Sequence, residues 1–206
     1  MKPAVDKVKA IVEFFHRSTT ATHKLKSTQQ QMGMPELKLK QECITRWNST
    51  FHMLKRIPEF KDAVISTLAV ISVDPLSHEE WEVLQEACTV LEPFEQVSVE
   101  ISADSHVTAS KMLILCKGLQ RVTAEHQTRV TTGKVKELVD ALCASMDRKF
   151  HRMEYNAVLS ETTILDPRFK KLVFNDNRAV DEALQRITAA ARSSQPTPLP
   201  EDQEGE

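Results

Sequence analysis

Glycine is scarce in this chain: only 4 of its 206 residues are glycine. Glycine supplies the positive-φ positions of tight turns and of loops whose backbone closely approaches a ligand. The sequence therefore has little room for Gly-rich phosphate loops or for many hairpins, and the scarcity favours helices.

Cysteine is also sparse, and its four copies lie far apart. No Cys-x-x-Cys pair occurs, and no histidine stands at zinc-finger spacing from a cysteine. Buried reduced thiols are therefore a better interpretation than a zinc site or disulfides, and we expect no metal site and no cofactor. The cysteines are Cys43, Cys88, Cys116 and Cys143.

Other absences concern location and catalysis. No apolar run approaches the roughly 20 residues that a membrane span needs, so no membrane association is expected. The first ten residues lack the apolar core of a signal peptide, which favours an intracellular location. The sequence also has no Ser-centred elbow and no His-Glu-x-x-His motif, so the residues alone indicate no catalytic site.

Charge is distributed unevenly along the chain. Residues 1–56 carry eleven Lys or Arg residues and four acidic residues, a net charge of +7, which leaves −9 for the rest of a chain whose net charge is −2. A basic first quarter attached to an acidic remainder suggests a face for polyanions. An ordinary solvated helix surface explains the same charge pattern equally well.

Apolar spacing predicts helices through most of the chain. Residues 3–16 repeat apolar side chains at helical intervals. A capping box from Ser77 to Glu80 begins a later helix and places Trp81 on its inward stripe. Residues 36–44 alternate polar and apolar side chains and are the best strand candidate.

The stretch Ile-Thr-Arg-Trp-Asn-Ser-Thr, residues 44–50, contains one of only two tryptophans. An indole offers a flat face on which an unstacked base can lie. Arg46 beside it can hold a phosphate, and Asn48 and Ser49 can cap a helix or bind backbone oxygens. The alternative is that Trp47 fills the core where a strand meets a helix, which is the simpler interpretation because buried aromatics are common.

Two separate blocks of sequence resemble the hAT transposase superfamily, and most closely its domesticated members that carry BED-type zinc fingers. The first block is FHRSTTATHKLKSTQQQMGMPELKLKQECITRWNSTFHMLKRI, and the second is ILDPRFKKL. In that family an Arg-Trp-Asn-Ser block ends part of an RNase H-like core, an all-helical insertion follows, and a Leu-Asp-Pro-Arg-Phe-Lys block closes near its end. The order and separation of the blocks match, and the resemblance extends to about Arg192.

The resemblance implies a mainly α fold, in which a C-terminal remnant of an RNase H-like α/β core is followed by an all-helical insertion domain. The tail of the core, with the Arg-Trp-Asn-Ser block, corresponds to residues 1–56, and the insertion domain to residues 57–192. Residues 193–206 are rich in proline and acids and are expected to be a disordered tail. We expect the chain to be a central piece of a larger protein, without the BED finger or the C-terminal dimerisation region.

The resemblance also implies site residues. In the family, the tryptophan of the Arg-Trp pair contacts DNA near the flipped base, which makes Trp47, and with it Arg46 and Asn48, the expected DNA-binding residues. Cys43 and Ile44 depart from the family, where an acidic and a small or β-branched residue often stand, but the Trp47 match is unaffected. The family's catalysis uses three metal-binding acids, two of which precede the Arg-Trp block by a long stretch while the third lies beyond the Leu-Asp-Pro-Arg block. We expect this chain to lack all three and therefore to have no enzymatic activity.

Three functions remain open from the sequence. The first is a fragment of a domesticated, hAT transposase-like, BED zinc-finger type protein that is DNA-associated, nuclear, transcription-regulatory and non-catalytic. Its partner would be DNA, bound weakly or in a context-dependent way by this fragment, and the family allows self-association of the full-length protein. The second is a fragment of an active hAT transposase, and the third is a helical protein-interaction scaffold with no nucleic-acid role.

Overall fold

The computed structural model of the chain describes residues 1–43, 48–71, 73–102 and 109–193. Throughout these residues the protein is mainly helical, and they contain no β-strand. Two short 3₁₀ helices, Ala109–Lys111 and Met153–Tyr155, stand among the α-helices. The α-helices in chain order are α1 (Lys2–Arg17), α2 (Thr19–Gln31), α3 (Ser49–Glu59), α4 (Lys61–Ile71), α5 (His78–Ile101), α6 (Met112–Arg129), α7 (Gly133–Lys149), α8 (Ala157–Leu165) and α9 (Asn177–Ser193).

The chain divides into two compact units. The first unit comprises residues 1–100 and 119–148, and the second comprises the described residues of 101–118 and 149–206. The domain boundary predicted after Arg56 separates a core remnant from an insertion, which is a statement about ancestry. A division by spatial contacts does not test it, and the boundary stays a prediction.

The core of the first unit begins with the amphipathic helix that the apolar spacing predicted. Val8, Ile11, Val12 and Phe15 of α1 recur at helical intervals, and each is at most 3% exposed. Burying an apolar side chain of this size stabilises the fold by about 1.5–3 kcal/mol, so this stripe holds α1 to its neighbours. The rest of this core consists of Ala21, Leu25, Leu39, Met53, Leu54, Ile57, Phe60, Ala63, Val64, Leu68, Leu76, Trp81 and Leu84.

The predicted capping box at the start of α5 is confirmed. The Ser77 backbone N–H donates to Glu80 Oε2 at 2.7 Å, and the Glu80 N–H donates to Ser77 Oγ at 3.2 Å. The next residue, Trp81, is 2% exposed and belongs to the core of the first unit. The Lys61 ammonium lies 5.5 Å from its ring centroid. Trp81 therefore has the inward position that its helical stripe predicted.

The strand predicted for residues 36–44 is wrong for those of its residues that the structure describes, which are irregular. Leu39 is 4% exposed and packs into the helical core. Nearby carbonyls accept from side chains and not from a neighbouring strand: Gln29 Nε2 donates to Leu37 O at 3.0 Å, and His16 Nε2 donates to Leu39 O at 2.9 Å. A segment that buries one side chain against helices gives the same alternating pattern as a half-buried strand.

The second unit contains a turn at Asp166-Pro167, which the sequence itself indicates because an aspartate followed by a proline commonly starts a turn. The Asp166 carboxylate accepts from Ser110 Oγ at 2.8 Å and from Arg168, whose Nε and Nη2 atoms lie at 2.9 and 2.6 Å. The hydrogen bonds from Arg168 and Ser110 hold the pKa of Asp166 well below its usual range. The Leu-Asp-Pro-Arg block therefore has a structural use in this chain, since its aspartate and arginine fix the turn that follows α8.

In the first unit, Glu86 of α5 fixes the start of α7. Its carboxylate accepts four hydrogen bonds of 2.6–3.0 Å, from the backbone N–H and the hydroxyl of both Thr131 and Thr132. Burial alone would raise the pKa of Glu86, but these hydrogen bonds outweigh it and lower the pKa from 4.5 to about 2. The carboxylate also lies at a helix N-terminus, where negative charge is favourable.

The low pKa of Glu86 predicts a loss of stability in acid. A carboxyl group whose pKa is lower in the folded state stabilises the fold above its unfolded-state pKa, and this contribution is lost as the pH falls through the folded-state value. Glu86→Gln should therefore lower the melting temperature at neutral pH, and its difference from wild type should shrink between about pH 4.5 and about pH 2. Thermal melts followed by circular dichroism across this range measure the effect.

Glu137→Gln is the matched control for this experiment. Glu137 is exposed on α7, and its side chain has no hydrogen bond or ion pair with any described residue. Its melting temperature should follow that of wild type throughout the pH range. A Glu86→Gln protein that melts with wild type at neutral pH would show that the four hydrogen bonds contribute nothing.

Candidate nucleic-acid interface

Two of the predicted DNA-binding residues, Arg46 and Trp47, lie outside the residues that the structure describes. The third, Asn48, is described and immediately precedes α3. The assignment of all three to DNA therefore stays a prediction. What the structure provides is the helix that follows this block and the segment that precedes it.

Asn48 occupies the N-cap position of α3 but does not use its side chain as a cap. Its backbone has φ −94° and ψ 11°, and its side chain makes no capping hydrogen bond. The hydroxyls that follow it bind the preceding segment: Ser49 Oγ donates to the Cys43 carbonyl at 2.7 Å, and Thr50 Oγ1 donates to the Glu42 carboxylate. The N–H groups at the start of α3 thus have no side-chain cap from Asn48, and a helix start of this kind favours an anion.

Most of the positive charge of the first quarter is neutralised by ion pairs. Of the ten cationic side chains among the described residues of 1–56, six are paired, several with acids from beyond this segment. Exposed pairs contribute little to stability, but they reduce the charge that a polyanion meets. The pairs are Lys7 with Asp74 and Glu80, Lys9 with Glu42, Arg17 with Glu13, Lys26 with Glu36, Lys55 with Glu92, and Arg56 with Glu59.

The unpaired cations lie mainly on α2 and the segment after it. Lys24, Lys38 and Lys40 are exposed, and none of them forms an ion pair with a described residue. Lys2, at the start of α1, is exposed and likewise has no acidic partner among the described residues. The charge asymmetry of the sequence thus becomes a small basic surface at α2, not a basic face across the whole first quarter.

A groove of about 570 Å³ lies beside these cations, between the end of α1, one face of α2 and residues 36–39; we call it the α1–α2 groove. No motif predicts it, because its walls come from parts of the chain that are distant in sequence: His16 and Leu39, which are hydrogen-bonded, are 23 residues apart. The floor consists of the buried residues Phe15, Leu25, Gln29 and Leu39, and the rim includes His16, His23, Lys26, Glu36 and Lys38.

Other kinds of site find no support in the described residues. These residues contain no group of three or more His, Cys, Asp or Glu side chains that could hold a metal ion. None of the described helices combines the length and apolar character needed to cross a membrane. Burial raises the pKa of the Cys88 thiol to about 11, which makes it a poor nucleophile.

Comparison with protein families assigns the first part of the chain to a class. Residues 1–90 match the family model of the ZBED1 RNase-like helical domain. The matched stretch contains α1 to α4 and the first part of α5. This match, together with the relatives described next, confirms the resemblance carried by the two sequence blocks, and the chain is related to hAT-derived proteins of the BED type.

The relatives are zinc finger BED domain-containing proteins. The chain is 30% identical over 172 residues to human zinc finger BED domain-containing protein 4, which covers 82% of this chain and 14% of that protein. It is 29% identical to zinc finger BED domain-containing protein 6, over 168 residues of the mouse protein and 161 residues of the human protein. Each alignment covers 76% of this chain and 16% of the relative. The chain thus spans less than a fifth of the length of these relatives, and no solved structure matches it.

The missing side-chain cap at α3 predicts that Asn48 contributes little to stability. Loss of an Asn cap costs about 0.5–2 kcal/mol, and Asn48→Ala should lower the free energy of unfolding by less than about 0.5 kcal/mol. Asn156→Ala is the matched control, because Asn156 Oδ1 accepts from the Leu159 N–H at 3.1 Å and caps α8. Urea denaturation of both variants measures the difference. Equal destabilisation of the two would show that Asn48 has a structural role.

Proposed function

We propose that this chain is part of a domesticated hAT transposase-like protein of the BED zinc-finger type, which associates with DNA in the nucleus and regulates transcription without catalysis. The observation that carries the proposal is the alignment with human zinc finger BED domain-containing protein 4, which covers 82% of the chain at 30% identity. Zinc fingers commonly place a helix in the major groove of DNA, so a segment that accompanies such a finger is suited to act on the same nucleic acid.

The proposal includes the position of this segment in the complete protein. Residues 1–56 would be the tail of an RNase H-like α/β core, and residues 57–192 would form the all-helical insertion domain. Support comes from the description of the matching family model, which names an RNase-like helical domain. Residues 36–43 are irregular, and five of these eight residues are exposed, so side chains of this segment can contact neighbouring parts of the complete protein.

In this proposal Trp47 stacks on an unpaired base, Arg46 holds an adjacent phosphate, and Asn48 contacts the DNA backbone. The described start of α3 supports such an arrangement, because the Asn48 side chain is not used as a cap. Helix N-termini bind phosphate through their free N–H groups and the helix dipole. An amide side chain and a helix start together can thus position a strand whose base lies against an aromatic ring.

A second candidate function, a protein-interaction scaffold, is favoured by one observation in the second unit. Large apolar side chains are exposed there, among them Val158 by 63%, Leu165 by 65% and Leu172 by 88%. Exposed apolar surface often marks a protein interface. Salt-dependent DNA binding separates the two functions, because a scaffold without a nucleic-acid role gives no affinity that falls as the salt concentration rises.

Residues 1–206 by themselves should not cleave or join DNA. The two sequence blocks that carry the resemblance do not supply the acids that hold metal ions in the family, and two-metal phosphoryl chemistry depends on such acids. Incubation of the purified chain with labelled duplex and hairpin DNA and Mg²⁺ or Mn²⁺ should leave the substrates intact. Metal-dependent cleavage that co-purifies with the chain through successive columns would contradict this prediction.

Trp47→Ala should weaken binding of single-stranded or distorted DNA while the fold is retained. Stacking of a base on an aromatic side chain is worth about 1–3 kcal/mol, so the dissociation constant should rise by about five- to 150-fold. Fluorescence anisotropy with a labelled single-stranded oligonucleotide measures the affinity, and circular dichroism measures the melting temperature.

Trp81→Ala is the internal control for Trp47→Ala. Because Trp81 is 2% exposed in the core, its truncation should cost about 3–5 kcal/mol of stability. The proposed role of Trp47 fails if Trp47→Ala unfolds the protein as badly as Trp81→Ala does and the folded fraction binds DNA like wild type.

A further inference from the structure

The α1–α2 groove has a donor-rich rim that the proposed function does not use. His23 and Lys38 lie at this rim, are exposed, and form no hydrogen bond or ion pair with any described residue. His16 is fixed at the groove by donating its Nε2–H to the Leu39 carbonyl at 2.9 Å. His16 and Gln29, which donates to the Leu37 carbonyl at 3.0 Å, thus hold residues 36–39 against the helices, while His23 and Lys38 are available to a ligand.

The charge of the rim favours an anion. Among the described residues that line the groove, Glu36 is the one acid, and the Lys26 ammonium lies 2.7 Å from its carboxylate. Gln30 also donates to Glu36. Since that acid is already neutralised, Lys38 is left as uncompensated positive charge, and His23 adds a ring nitrogen that can donate a hydrogen bond.

The size of the groove and the cations beyond it distinguish between anionic ligands. A concavity of about 570 Å³ is in the range of small-ligand pockets, so it accepts part of a single strand but not a duplex. Lys24 and Lys40 do not line the groove, but they are exposed, have no acidic partner among the described residues and directly follow the lining residues His23 and Leu39 in the sequence. Charge spread in this way suits the repeated phosphates of a nucleic-acid strand.

A phosphorylated peptide is a poorer match to this rim. Recognition of a phosphorylated side chain usually relies on clustered arginines that bind the phosphate in a bidentate manner. No arginine is among the described residues that line the groove, and the neighbouring Arg17 is paired with Glu13 at 3.6 Å. Lysine and histidine donors, each acting at a single point, are adequate for a phosphodiester that carries one negative charge.

We propose that the α1–α2 groove binds the phosphodiester backbone of a single nucleic-acid strand. This inference rests on the proposed function and adds to it a second contact surface, formed by α2 and residues 36–39 and separate in sequence from the Arg-Trp-Asn block. The groove contributes affinity that does not depend on sequence, because its rim meets the phosphates and not the base edges.

Charge variants of the full chain test this proposal. Lys38→Glu and His23→Glu should each weaken binding of a fluorescein-labelled 15-nucleotide oligothymidine about fivefold, and Lys38→Glu, which removes a cation, should also reduce the slope of log affinity against log salt by about one. Glu36→Gln should strengthen binding, because it removes the acid of the rim. Anisotropy titrations at four salt concentrations provide both quantities, and circular dichroism verifies that each variant is folded.

Lys136→Glu is the matched control, since Lys136 is exposed on α7, outside the groove, and its side chain has no partner among the described residues. Its affinity should stay within about twofold of wild type. If Lys38→Glu and His23→Glu bind oligothymidine no more weakly than Lys136→Glu, the groove proposal is overturned. Binding of a phosphoserine peptide that is tighter than oligothymidine binding and is lost in Lys38→Glu would also overturn it, in favour of a peptide ligand.

The failure of this proposal is distinguishable from the failure of the proposed function. A wild-type chain with no salt-dependent affinity for any oligonucleotide removes the proposed function, and this inference with it. If the wild-type chain binds DNA and Trp47→Ala weakens this binding, but Lys38→Glu and His23→Glu do not, the proposed function stands and only the groove proposal is overturned.

Discussion

The burial of Leu39 is the contact on which the candidate interface depends. A leucine that is 4% exposed contributes about 1.5–3 kcal/mol, and this leucine belongs to an irregular segment that has no strand or helix of its own to stabilise it. Its burial draws the segment back across α1 and α2, where His16 and Gln29 hydrogen-bond to its carbonyl groups. The wall of the α1–α2 groove and the exposed position of Lys38 beside it both follow from this single anchored side chain.

Ion pairing then determines how many of the charged side chains remain unpaired at the surface and available to a ligand. Lys9 and Glu42 illustrate the point, because their side chains meet at 2.6 Å. The Lys9 ammonium and the Thr50 hydroxyl lower the pKa of Glu42. A carboxylate held in this way cancels a neighbouring lysine at all but strongly acidic pH. The net charge of a segment is thus an upper estimate of what a polyanion meets, and geometry decides which cations remain available.

Local patterns in the sequence predicted much of the fold, and non-local contacts account for what they missed. The stripe on α1, the capping box before Trp81 and the turn at Asp166 depend on residues within one or two helical turns, so their signals are complete in the sequence. The hydrogen bonds that Glu86 accepts from Thr131 and Thr132 join residues more than forty positions apart, and no local sequence pattern predicts them. For residues 36–44 a local pattern was present but gave a wrong prediction. Alternating polar and apolar residues indicate that one side of a segment is buried, but not whether it is buried against a sheet or against helices.

The supply of unpaired cations sets an expectation for the affinity of the segment. Each phosphate that a protein neutralises releases counterions and strengthens binding, so affinity grows with the number of available Lys and Arg side chains. Six of the ten cations that the structure describes in residues 1–56 are engaged by carboxylates, and a phosphate must compete with those carboxylates to use them. A fragment with this surface is suited to a contact of modest strength that gains affinity when it is linked to another DNA-binding module, because linkage raises the effective concentration of the second contact. The small share of the relatives' length that the chain spans, 14–16%, leaves most of each relative to supply such a module. The small number of available cations therefore agrees with the weak or context-dependent DNA contact that the proposed function expects of this segment.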